Sequence, residues 1–154
     1  MIRNLTRKLA ATAAGCTVAA LLVTTPIADA RDTLHKFPLE AALAKAQASG
    51  KLAPNVKLFF GNAKTPKPTA QLGQTRTNKK TNFFNKSDQE ACEWTFMSAM
   101  IAMTSYAQRV GGNAIINIRS NYKNIEFSSD TEYECGAGNV TGGVAFVGDV
   151  VKLP

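Results

Sequence analysis

Apolar positions along the chain recur with two periods, and the switch between them divides it into elements. After Pro38, residues Leu39, Ala42, Leu43 and Ala46 form a stripe at helical spacing, and Gly50 ends it. This predicts a short helix over 38–49. NVKLFF, at 55–60, reads as a strand closed by Gly61, and 69–77 as a second, weaker strand. A long helix follows over about 88–110. Ser87 is its N-cap, Glu90 sits three residues on, Asp88 and Glu93 favour its positive end, and Gly111-Gly112 stops it. Its apolar content runs nearly all round: Trp94, Phe96, Met97, Met100, Ile101, Met103 and Tyr106. Residues 113–121, 126–135 and 142–153 read as three further strands. The order predicts an α+β fold: a small mixed or antiparallel sheet, the long helix packed across it, and a short N-terminal helix.

Within 126–135 the side chains alternate. Successive strand residues point to opposite faces, so Asp130, Glu132 and Glu134 share one side, and Thr131, Tyr133 and Cys135 the other. The expectation is carboxylates in water with tyrosine and cysteine against the helix. On the helix, Cys92, Phe96, Ala99, Met103 and Tyr106 form one buried stripe. Cys92 and Cys135 thus both point inward, which predicts a disulfide between them. Asp130, Glu132 and Glu134 are weak candidates for a hard cation. However, alternate carboxylates on a strand stand about 6.8 Å apart and do not converge on one ion unaided. His35 is the sole histidine, so no zinc set can be assembled, and no cofactor is expected.

The first thirty residues change the picture of compartment. Arg3, Arg7 and Lys8 precede an uncharged apolar run over 9–23, Pro26 breaks it, and Ala28-Asp29-Ala30 fits the small-x-small rule of signal peptidase. The expectation is a signal peptide over 1–30, cleavage after Ala30, and one domain over 31–154 in the periplasm or secreted. A membrane anchor is the alternative, but the run is short for a span of about 20 residues. Ala13-Ala14-Gly15-Cys16 loosely matches a lipoprotein box. The apolar run continues past Cys16, which argues against lipid attachment there. Cleavage leaves two cysteines, an even count suited to an oxidising compartment.

Charge is segregated within a net of +7. No Asp or Glu occurs between Glu40 and Asp88, while nine Lys or Arg do; from Ser87 onward eight acidic residues face four basic ones. RTNKKTNFFNK, at 76–86, interleaves Phe83 and Phe84 with Arg76, Lys79, Lys80 and Lys86. Those six residues are the candidate anion-binding surface. In an exported protein the anions at hand are lipid headgroups, glycans or acidic proteins, which argues against nucleic acid as the partner. A solvated lysine-rich loop is the plainer reading of the run. The bipolar charge would also allow self-association, basic face on acidic face.

The sequence contains no GxxxxGK(S/T) loop, GxSxG, HExxH or dinucleotide fingerprint, and no enzymatic activity is expected. NKSDQEACEWTFMSAM, GGNAIINIRSNYK, SSDTEYECGAG and GDVVKL together resemble a family of small exported proteobacterial proteins often labelled "excinuclease ATPase subunit". The label implies an intracellular repair ATPase, which a signal peptide and a missing phosphate loop contradict. More distantly, the helix followed by GGNAI and a strand resembles the YbjQ-type α+β domains, sometimes described as heavy-metal binding. It also resembles the envelope stress-sensor lipoprotein RcsF, with its compact disulfide-bonded domain. These likenesses imply the fold more than the function; the expected role is an envelope binding or sensing module, and the alternative is a metal-binding YbjQ-like protein.

Overall fold

The computed structural model describes residues 31–154. The signal-peptide reading, with Ala28, Ala30 and Cys16, lies outside the described residues. The elements run β1 (Asp32–Pro38), α1 (Leu39–Ala48), β2 (Lys57–Phe60), β3 (Ala70–Asn82), α2 (Asp88–Arg109), β4 (Ala114–Tyr122), β5 (Ile125–Phe127), β6 (Glu132–Gly138) and β7 (Thr141–Lys152). All seven strands belong to one mixed sheet with the two helices beside it, and Cys92 is bonded to Cys135. The fold is α+β. None of the described helices is long and apolar enough to cross a membrane.

β7 is the axis of the sheet. Its run from Gly142 to Gly148 is buried throughout: α2 covers one face, and on the other its residues lie low between the longer side chains of the strands paired to its two edges. Along one edge it pairs with β3 over nearly its whole length. Along the other, β4 takes the C-terminal part and β6 only the two pairs nearest the turn, Gly136↔Gly143 and Ala137↔Gly142. The rest of β6 leaves β7 and carries β1 on its free edge. Gly143 sits at the point of divergence for a steric reason. A Cβ there would lie 2.0 Å from the carbonyl oxygen of Lys79 on the adjoining strand.

α2 packs on one face of this sheet. Its Cys92, Phe96, Ala99, Met100 and Met103 are fully buried among Phe60, Tyr133, Val144, Phe146 and Val150. Phe96 holds the centre, with ring centroids 4.6 Å from Tyr133 and 5.6 Å from Phe146. The Ser87 hydroxyl accepts from the Glu90 amide at 3.1 Å, so the helix begins where its cap directs. α1 starts after Pro38, buries Leu39, Ala42 and Ala46, and ends before Gly50 at φ +65°. Both helices match the pattern read from the sequence.

Three strand expectations change. β1 was not expected at all; it forms because β6, diverging from β7, offers it a free edge over seven residue pairs. The weak strand at 69–77 extends to Asn82 and takes in three of the four cations of the basic run, Arg76, Lys79 and Lys80. The strand expected over 126–135 is two strands, because β5 folds back on β4 while β6 pairs elsewhere. Between them the Ser129 hydroxyl accepts from the amides of Thr131 and Glu132, turning the chain.

Candidate functional site: the open face of the sheet

The face away from α2 is polar. Cross-strand register assigns its residues, since paired residues share a face. Lys79 pairs with Val144 and Thr77 with Phe146, both in the core under α2. Arg76, Asn78 and Lys80 pair with Val147, Ala145 and Gly143 and so belong to the opposite, open face. This corrects the grouping of Lys79 with Lys80. Neighbours on a strand point apart, so the two ammonium groups do not form one cluster. Phe83 is also removed from the candidate surface, being 5 % exposed and part of the core. Phe84 is exposed beyond the end of β3, and Lys86 donates to the carbonyl of Asn82 at 3.1 Å.

Residues that the sequence reading did not single out complete the open face. β4 and β5 are joined by a two-residue turn, Lys123-Asn124, with Tyr122 paired to Ile125. Both turn residues have positive φ, 52° and 64°. That is the backbone a tight hairpin needs, and Asn-Gly is its relaxed choice. Lysine there is strained by about 1–2 kcal/mol. The turn brings Asn121, Lys123 and Asn124 opposite Arg76, Asn78 and Lys80. Between the two rows run contiguous depressions of about 280 and 220 Å³ that share Asn78 and Lys123. Gly142, Gly143 and Ala145 lie along them. Tyr122 lies against Gly136, where a Cβ would be 2.0 Å from its ring, so only glycine admits the tyrosine.

The cations here differ in how far they are neutralised. Arg119 holds Glu126 by two parallel bonds, 2.7 and 3.1 Å. This hydrogen-bonded pair raises the guanidinium pKa and lowers that of the carboxylate. Lys123 donates to Asp32, which raises its pKa. Among the described residues, Arg76 and Lys80 make no ion pair with a carboxylate. They are the charges available to a ligand.

The acidic stretch is solvated as expected at Asp130 and Glu132, and Tyr133 and Cys135 point inward, but Glu134 departs from the pattern. Asp130 lies before β6 and is exposed, as is Glu132, but Glu134 is only 7 % exposed. Its amide donates to the Ser120 hydroxyl at 2.9 Å, and Lys36 stands opposite it on β1. Burial raises the Glu134 pKa, and Lys36 partly offsets this. The end of β4 covers this face, which alternation along one strand cannot reveal. Among the described residues no three His, Cys, Asp or Glu side chains gather where a metal ion could be held. Asp130, Glu132 and Glu134 thus form no joint cation site.

A second depression, of about 510 Å³, lies on the helical side between Lys45 and Lys51 near α1 and Trp94 and Met97 on α2. Lys45 is paired with Glu93 across it, and Trp94 is 52 % exposed. At the N-terminus of α2, Asp88 is held by Arg31 and by His35 Nε2 at 2.8 Å. These contacts tie β1 to the helix.

Comparison with protein-family models, with curated proteins and with solved structures gave no match in any of the three.

Proposed function

We propose that the protein is an exported, non-catalytic binding module that holds an anionic component of the cell envelope on the open face of its sheet. The observation that carries this is the position of Arg76 and Lys80 on one face, without a carboxylate partner among the described residues, along a groove floored by Ala145 and Gly143. Glu126 and Asp32 are paired with Arg119 and Lys123, Asp149 accepts from the side-chain amides of Asn117 and Gln74, and the residues lining the groove include cations and no carboxylate, so its free charge is positive. The buried Cys92–Cys135 bond supports the compartment, because such bonds persist where the surroundings oxidise thiols.

Retention on an anionic matrix tests the proposal. Arg76→Glu with Lys80→Glu is expected to abolish salt-dependent retention at moderate ionic strength. Lys79→Glu, adjacent in sequence but on the other face, is expected to keep most of it. A purely compositional effect of net charge would follow the number of substitutions whatever their face. Equal loss per substitution at positions 76, 79 and 80 would refute a specific surface.

A further inference from the structure

We infer that the ligand of the open face is an acidic polysaccharide, a sugar chain bearing carboxylates at intervals. This rests on the anion-binding proposal above and adds the chemistry that surrounds the cations. Asn78, Asn121 and Asn124 line the groove, and among the described residues none of their side-chain amides has a hydrogen-bond partner. A side-chain amide presents a donor and an acceptor side by side. A phosphate or carboxylate alone engages only the donor and leaves the amide oxygen facing negative charge. Sugar hydroxyls, which both donate and accept, use the two together.

The spacing of charge points the same way. Arg76 and Lys80 are four residues apart on one strand face, about 13 Å by strand rise, with Asn78 between them. The order is cation, amide, cation along a trough whose floor is Gly143 beside Lys80 and Ala145 beside Asn78, with Val147 beside Arg76. Such a floor lets a ring lie close to the backbone. A nucleic acid carries charge far more densely than two free cations about 13 Å apart can match. A bilayer is a flat surface, whereas the groove is sunk between β3 and the β4–β5 turn. The strained Lys123-Asn124 turn then has a role: it holds one more free amide, that of Asn124, at the groove's edge.

The test uses the disulfide-bonded protein and a short polygalacturonate oligomer in calorimetric titration. A neutral dextran oligomer and phosphatidylglycerol vesicles serve as the contrasting probes. The variant is Asn78→Ala with Asn121→Ala, which leaves every charge in place, and circular dichroism checks its fold. The expected result is binding of the uronate but not of dextran, weakened about tenfold or more in the variant. Retention of that variant on an anionic column is expected to equal wild type. If the oligomer fails to bind while column retention still depends on Arg76 and Lys80, the sugar is wrong and the anion surface stands. Vesicle binding that the asparagine substitutions do not alter, without uronate binding, overturns the sugar in favour of a lipid face. Column retention indifferent to Arg76 and Lys80 removes the underlying anion-binding proposal itself.

Discussion

Breaking the Cys92–Cys135 bond is the perturbation whose size follows most directly from the structure. The bond joins β6 to the first turns of α2, with both sulfur-bearing residues fully buried and their Cα atoms 6.0 Å apart. The residues are 43 apart in sequence, and the loop they close contains most of α2, all of β4 and β5, and half of β6. The chain-entropy relation gives about 4 kcal/mol at 25 °C for such a loop. Against a stability of about 5–15 kcal/mol for an ordinary domain, that is a large fraction. For a domain of this size it corresponds to a fall in Tm of roughly 10–20 °C. Cys92→Ala with Cys135→Ala would be compared with wild type in urea, each with and without reductant. Wild type is expected to lose the stability on reduction, and the variant to be indifferent to reductant. The urea dependence of wild type should also steepen on reduction, because the released unfolded chain exposes more surface. A loss under about 1 kcal/mol, well below the model range for this loop, would refute the reasoning. It would mean that the bond ties together parts already close in the unfolded ensemble.

Two further perturbations test the architecture around the groove. Glu134 has its folded pKa raised by burial, so the folded state holds the proton more tightly than the unfolded one. Stability then falls as pH rises from the ordinary carboxylate range through the raised value. Glu134→Gln should be more stable than wild type at neutral pH and equal to it in acid; thermal melts across that range check this, and a pH-independent difference would contradict it. Gly143→Ala drives a methyl group into the Lys79 carbonyl, which is backbone and cannot yield as a side chain does. A loss of about 2–3 kcal/mol is expected from urea titration. A neutral substitution would mean that β3 can slide from β7 at no expense.

How much of this was legible in the sequence depended on whether a segment's surroundings were local. The helices and the disulfide were readable because their partners follow from periodicity within one element: Cys92 falls on the apolar stripe with Phe96, Ala99 and Met103, and Cys135 alternates with Glu134. β3 was half missed because it presents Thr75, Thr77 and Lys79 on the side of the helix and Arg76, Asn78 and Lys80 on the other, so hydrophobicity does not alternate along it. β1 was missed for a related reason, as an edge strand with both faces largely exposed. Glu134 was misjudged because its cover comes from Ser120 on β4 and from Lys36 on β1, not from its own neighbours. The groove itself could not be found from spacing. Asn78 and Asn121 meet only because β4 and β3 lie on opposite edges of β7.

The place of β7 in the sheet also sets when the molecule can exist. β3, β4 and β6 are all joined through it, yet it is synthesised after every one of them. Until its twelve residues are available, the thirteen-residue β3 has no strand to pair with. Helices can form early, but the sheet must wait and then close mostly through long-range contacts, which makes folding slow. During that wait the chain's exposed strands are open to association with other chains. The lysines and arginine of β3 repel such partners. The same cations proposed to hold a ligand in the finished protein would therefore keep the unfinished one apart from its copies.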